Sequence, residues 1–155
     1  MADKLALIGW LMAAATLFAG CAAETYTVGD DLGWTIPPLG AVAYRTWAAK
    51  EDFDLGDNIV FRWSGTHDVV QVTKEGYDNC TATNSTTLSP IQTTSPSTFT
   101  LNSTAPHYFI CTVDNHCRLG QKLTVQTEAS AAAGPVLKTG ALSALLLAVA
   151  AFISL

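Results

Sequence analysis

Cys111, His116 and Gln121 stand five residues apart in YFICTVDNHCRLGQKL, and His67 stands well upstream in SGTHDVV. Together they offer one thiolate, two imidazoles and one amide oxygen, three of them from a single strand–loop–strand segment. Thiolate and imidazole donors select transition metals of borderline softness, copper or zinc before the others. The rest of the chain has to position these groups and decide between the metals.

The ends of the chain carry no part of that scaffold. Lys4 followed by an apolar run from Leu5 to Phe18 and small residues from Ala19 to Ala23 reads as a secretory signal peptide, residues 1–23, with cleavage before Glu24. At the other end, residues 129–155 read as a short linker and a GPI-anchor signal. Small residues, a spacer and a terminal apolar tail follow one another there, and Ser130 is the expected attachment site. The fifteen residues from Ala141 to Leu155 fall short of the ~20 that a membrane-spanning helix needs. The expected location is outside the cell, secreted to the outer face of the plasma membrane or to the apoplast, with membrane contact only through a lipid anchor.

Between the ends lie residues 24–128, the size of one ordinary domain. They hold twelve acidic and six basic residues, a net charge of −6, and no basic patch that could neutralise phosphates. Nucleic acid is therefore excluded as a partner, and a monomer is expected. Short β-rich runs dominate: Tyr26–Val28, Asn58–Trp63, Asp68–Thr73, Thr98–Leu101, Tyr108–Cys111 and Lys122–Gln126. Several alternate apolar with polar residues, and Gly56-Asp57, Gly65, Pro90, Pro96 and Gly120 punctuate them. Helical turns are expected near Thr46–Asp52 and Lys74–Asn79. Many short strands in a chain of this size predict an all-β, two-sheet antiparallel sandwich. Thr81–Thr104 is low in complexity, with fourteen Ser or Thr in twenty-four residues. Asn79, Asn84 and Asn102 head N-x-S/T sequons and are expected glycosylation sites.

Cysteine arithmetic narrows the metal. Cys21 leaves with the signal peptide, so Cys80, Cys111 and Cys117 remain, an odd number in an oxidising compartment. If residues 116 and 117 are extended, their side chains point to opposite sides. A His116 that faces a metal then leaves Cys117 free to pair with Cys80, and Cys111 remains as the thiolate. A structural zinc site would need four Cys or His ligands, usually with a C-x-x-C pair, and none is present. No nucleophile motif surrounds Cys111 that would suggest a thiol protease. His107, four residues before Cys111, lies roughly 13 Å away along a strand and reads as a surface or packing residue. Both methionines, Met1 and Met12, fall in the signal peptide, so no thioether is left for a weak axial position. Gln121, one glycine-containing turn beyond His116, is placed to fill it with an amide oxygen.

These residues resemble the copper site of the phytocyanins, the plant branch of the cupredoxins, and the glutamine makes the match closest to the stellacyanin (umecyanin-like) subgroup. The likeness extends over the whole domain: Tyr26-Thr27-Val28-Gly29-Asp30, Gly33-Trp34-Thr35-Ile36-Pro37, Tyr44-Arg45-Thr46-Trp47-Ala48, and Phe53 with Gly56-Asp57 and Val60-Phe61. It implies a Greek-key cupredoxin sandwich with one type 1 copper, His67, Cys111 and His116 as near-trigonal ligands, Gln121 axial, and Cys80–Cys117 as the disulfide. Early nodulin-like relatives that keep the fold have lost the ligands, whereas here all four positions are filled. The expected function is a single-electron carrier outside the cell rather than an enzyme, exchanging electrons with a small-molecule or protein redox partner. The competing expectation is an extracellular cell-wall or protein-binding module in which copper is incidental. Asp68, next to His67, is expected to bond the segment around Thr112 and tie the distant histidine to the cysteine loop.

Overall fold

The computed structural model describes residues 22–127. The proposed signal peptide up to residue 21, Ser130 and the C-terminal tail lie outside the described residues. Six strands form: β1 (Thr25–Thr27), β2 (Asn58–Phe61), β3 (Val70–Val72), β4 (Ser97–Thr100), β5 (His107–Ile110) and β6 (Lys122–Val125). Two short helices, α1 (Val42–Ala48) and α2 (Lys74–Asn79), and a 3-10 turn at Asp30–Leu32 complete the order. The strands build two three-stranded sheets, β1-β2-β4 and β3-β5-β6, so consecutive strands from β2 onward switch sheets until the β5–β6 hairpin.

The pairing departs from an all-antiparallel sandwich at one edge. β1 lies parallel to β2, with Thr25 opposite Asn58 and Thr27 opposite Val60. A parallel pair requires a long crossover. The chain from Val28 to Asp57, which carries the 3-10 turn and α1, supplies it. All other strand pairs are antiparallel.

Between the sheets sits an aromatic core. Trp34, Tyr44, Phe61 and Phe109 are completely buried. Trp34 meets Phe61 edge-on at 4.9 Å and Tyr44 at 5.0 Å, while Phe61, Phe99 and Phe109 form a triangle with centroids 5.0–5.6 Å apart. Such rings bury large apolar areas and lock one another by edge-to-face contact. A second, smaller cluster of Val70, Val72, Ile110 and Cys117 packs with Tyr77 and Tyr108. β5 therefore sends Phe109 into the sandwich and Ile110 to the other cluster, which explains why this strand is apolar on both faces.

α2 begins and ends where its residues dictate. The Thr73 side chain accepts the Gly76 N–H, and Cys80 closes the helix in the left-handed conformation. α1 falls four residues earlier than the expected Thr46–Asp52, because Tyr44 and Trp47 face the core together at helical spacing. Phe53, at the end of the expected helix, instead bridges to Thr127. His107 is a packing residue: it is buried, with Nδ1 3.0 Å from Gln71 Nε2 and Nε2 3.0 Å from the Ser103 carbonyl. Asn79, Asn84 and Asn102 are all exposed. Among the described residues, no helix is long and apolar enough to cross a membrane.

Candidate metal centre

β5 ends at Ile110, and Cys111 follows with its backbone N–H bonded to the Gln121 carbonyl at 3.2 Å. That bond closes the β5–β6 hairpin, and the turns from Val113 to Gly120 form the loop between. Inside the loop, His116 N–H donates to Val113 O, and the Gln121 N–H donates to His116 O, each at 3.0 Å. His67 arrives from the loop between β2 and β3. Its Nδ1 lies 3.2 Å from His116 Nδ1 and 3.1 Å from Gln121 Oε1, and His116 Nδ1 lies 3.6 Å from Cys111 Sγ. The Cys and His ligand atoms all fall within 4.8 Å of one another. The structure thus gathers His67, Cys111, His116 and Gln121 at one point and leaves His107 outside it.

The four residues differ in exposure. Cys111 and Gln121 are buried, whereas both imidazoles are half-buried. Burial pushes the Cys111 thiol up to about 11, although the backbone N–H groups of Asp68 and Val113 pull the other way by bonding the sulfur. A thiolate here therefore calls for a cation beside it. Burial and the neighbouring His116 hold His67 below the usual histidine range, which favours a neutral ring with a free lone pair. The Gln121 side chain adds a further sign of an intended guest. Its amide nitrogen is buried without a hydrogen-bond partner, a costly arrangement in a finished core. Its oxygen, meanwhile, faces the histidines. A soft thiolate, two imidazoles and a weak amide oxygen fit type 1 copper.

The surroundings hold these donors from two sides. Asp68 accepts hydrogen bonds from both the backbone N–H and the hydroxyl of Thr112, the tie expected between the His67 loop and the cysteine loop. Cys80 and Cys117 form a disulfide, with Cα atoms 5.7 Å apart, that fastens α2 to the residue after His116. Residues 116 and 117 lie in turns rather than in an extended run. The two side chains diverge because the loop winds, and the strand alternation invoked for them does not apply. Cys111 is the free cysteine of the described residues.

Two supports were not visible in the sequence. Gly120 takes φ +106°, and its α-carbon rests directly on the backbone of Gly40 and Ala41 at the start of α1. The Trp34 indole donates to the Asp68 carbonyl at 2.8 Å. Gly120 carried a turn signal but no sign of its contact, and Trp34 lies more than thirty residues from its partner.

Comparison with known proteins places this geometry. Residues 34–121 match the family model described as a plastocyanin-like domain. A blue copper protein of Arabidopsis thaliana is 43% identical over 115 residues, covering 72% of this chain and 56% of that protein. Stellacyanin of Toxicodendron vernicifluum is 38% identical over 102 residues, covering 64% of this chain and 92% of that protein. The solved structure of cucumber stellacyanin in its Cu2+ form superposes with a TM-score of 0.61 at 34% identity, covering 70% of this chain and 97% of the other. The chain spans little more than half the length of the Arabidopsis blue copper protein. Site, sandwich and relatives agree: the chain belongs to the plastocyanin-like family of blue copper proteins, in its phytocyanin branch.

Proposed function

We propose that this protein carries single electrons outside the cell, exchanging them with a small-molecule or protein partner, and that it is not an enzyme. The observation that carries the reading is the division of the site into buried and open halves. Cys111 and Gln121 are sealed in the hairpin, while the His67 and His116 rings are half-exposed. Four protein donors converge and leave no open position for a substrate, in contrast to catalytic metal sites. A partner can approach the imidazole edges but not the sulfur. When bound, copper supplies the one-electron couple.

The chain's own residues supply the rest. Because β5, β6 and the disulfide fix the loop, the donors are held in one arrangement, which keeps rearrangement small when charge changes. The Asp68 and Val113 N–H groups favour the negative charge on the sulfur. The amide oxygen of Gln121 is a harder donor than a thioether and favours the more oxidised metal. The leader and tail of the sequence support the extracellular location.

Colour tests the function directly. Metal-free protein given one equivalent of copper(II) is expected to turn blue, bleach with a mild reductant and recover the colour with an oxidant. A colourless product with the Cys111 thiol intact would reject the carrier reading and favour the binding module.

Gln121 allows a test of opposite signs. Gln121→Leu removes the partnerless amide nitrogen together with the oxygen 3.1 Å from His67 Nδ1. The half-exposed imidazole can turn to water instead, so the metal-free protein should gain up to about 1 kcal/mol in denaturant unfolding. Gln121→Met should raise the reduction potential of the copper form. An unchanged potential would show that the amide oxygen does not touch the metal.

A further inference from the structure

His67 is carried by the loop Arg62–Asp68, in which Ser64, Gly65 and Thr66 are exposed with no burial to hold them. Trp34 grips both ends of this loop. Its backbone N–H donates to the Arg62 carbonyl at 2.7 Å, and its indole Nε1–H donates to the Asp68 carbonyl at 2.8 Å. Trp34 is itself completely buried, wedged against Phe61 at 4.9 Å and Tyr44 at 5.0 Å. The Tyr44 hydroxyl lies 2.9 Å from the Gly33 carbonyl and 2.8 Å from the Thr35 carbonyl, and accepts the Thr35 N–H at 2.8 Å. Both neighbours of Trp34 are thereby pinned by one phenol.

We infer that Trp34, backed by Tyr44, is a positioning residue of the metal site that clamps the neck of the His67 loop. The inference rests on the copper reading above. Asp68 is the point at which the clamp acts. Its carbonyl takes the indole bond, its carboxylate holds Thr112, and its backbone N–H favours the thiolate form of Cys111. Releasing the carbonyl lets Asp68 turn about its α-carbon, even with the Val69 N–H of the same peptide still bonded to Gln92 O at 3.0 Å. That turn loosens His67 on one side and draws the Asp68 N–H away from the sulfur on the other. A thiolate with fewer hydrogen bonds is a stronger electron donor, so the oxidised metal gains. The clamp therefore acts on charge at the sulfur as well as on geometry at the imidazole.

Trp34→Phe keeps a ring in the aromatic core and removes only the indole donor with part of its volume. In the metal-free protein, amide exchange at Thr112 is expected to quicken by about fivefold or more, as the loss of one net hydrogen bond implies. In the copper form, the ratio of reduced to oxidised protein at a fixed poise should fall by about three- to tenfold. Ile59→Val, a core change on β2, serves as the control and should lower stability without moving either readout. If Trp34→Phe does not fold, Tyr44→Phe unpins Gly33 and Thr35 and should move both readouts the same way. Lower stability with Thr112 exchange and the redox ratio both unchanged would overturn the clamp and leave Trp34 as core packing. Failure of the unsubstituted protein to take up copper, with Trp34→Phe still quickening Thr112 exchange, would keep the clamp and instead count against the copper reading.

Discussion

Gly120→Ala is expected to cost about 2–6 kcal/mol of stability and to abolish well-defined metal binding. The added carbon would overlap the Ala41 nitrogen and lie 2.5 Å from the Gly40 carbonyl carbon and 2.7 Å from its α-carbon. All three are backbone atoms, so no side chain can swing away. A φ of +106° adds conformational strain of about 1–3 kcal/mol for any residue with a Cβ, and forced overpacking adds about 1–3 kcal/mol more. The loop can relieve the clash only by lifting off α1. That movement carries Gln121 and, through the bond between Gln121 N–H and His116 O, the histidine with it. Denaturant unfolding of the metal-free protein, followed by copper titration, measures both parts. A variant of normal stability that still turned blue would show that the loop does not depend on its seat.

Removing the disulfide by Cys80→Ser with Cys117→Ser is expected to cost about 4 kcal/mol, the chain-entropy value for a crosslink across 37 residues. The bond also closes the second apolar cluster, where Cys117 is buried. Its loss should therefore reach the metal. Cys117 adjoins His116, and α2 is the anchor at the other end. Copper affinity should fall together with stability, and raising the protein's stability with an osmolyte should restore the fold more fully than the affinity. If affinity were untouched in a folded double variant, the hairpin bonds alone would suffice to place His116.

The donors themselves were legible because three of them share one short segment, and short segments are where sequence order reports spatial neighbours. His67 was legible as a donor by its type and by the exclusion of His107, while its role as a near-trigonal ligand came from the likeness to the phytocyanins, since its loop lies on a different connection. Strand positions followed from runs such as Asn58–Phe61, where β-branched and aromatic residues leave little choice. The parallel pairing of β1 with β2 did not follow, because register between distant strands depends on which edge is free after folding. α1 was displaced for a related reason. Local propensity favoured Thr46–Asp52, whereas the demand of Tyr44 and Trp47 for the core moved the helix forward. The grip of Trp34 on Arg62 and Asp68 and the seat of Gly120 on Gly40 are contacts between loops. No periodicity announces such contacts, and only the folded chain brings them together.

The β5–β6 hairpin separates two jobs that a metal protein must reconcile. Between Cys111 and Gln121 the chain leaves both sheets, hung from two strand ends joined by the Cys111 N–H to Gln121 O bond and held from outside at Thr112, Cys117 and Gly120. Lengthening, shortening or rewriting those eleven positions would alter three donors at once while every strand register stayed where it is. Such a module can be exchanged between proteins of this architecture only together with its outside partners Asp68, Cys80 and Gly40. Redox behaviour could then diversify along a lineage without refounding the sandwich, whereas a change at the lone upstream histidine would have to be accommodated by the scaffold itself.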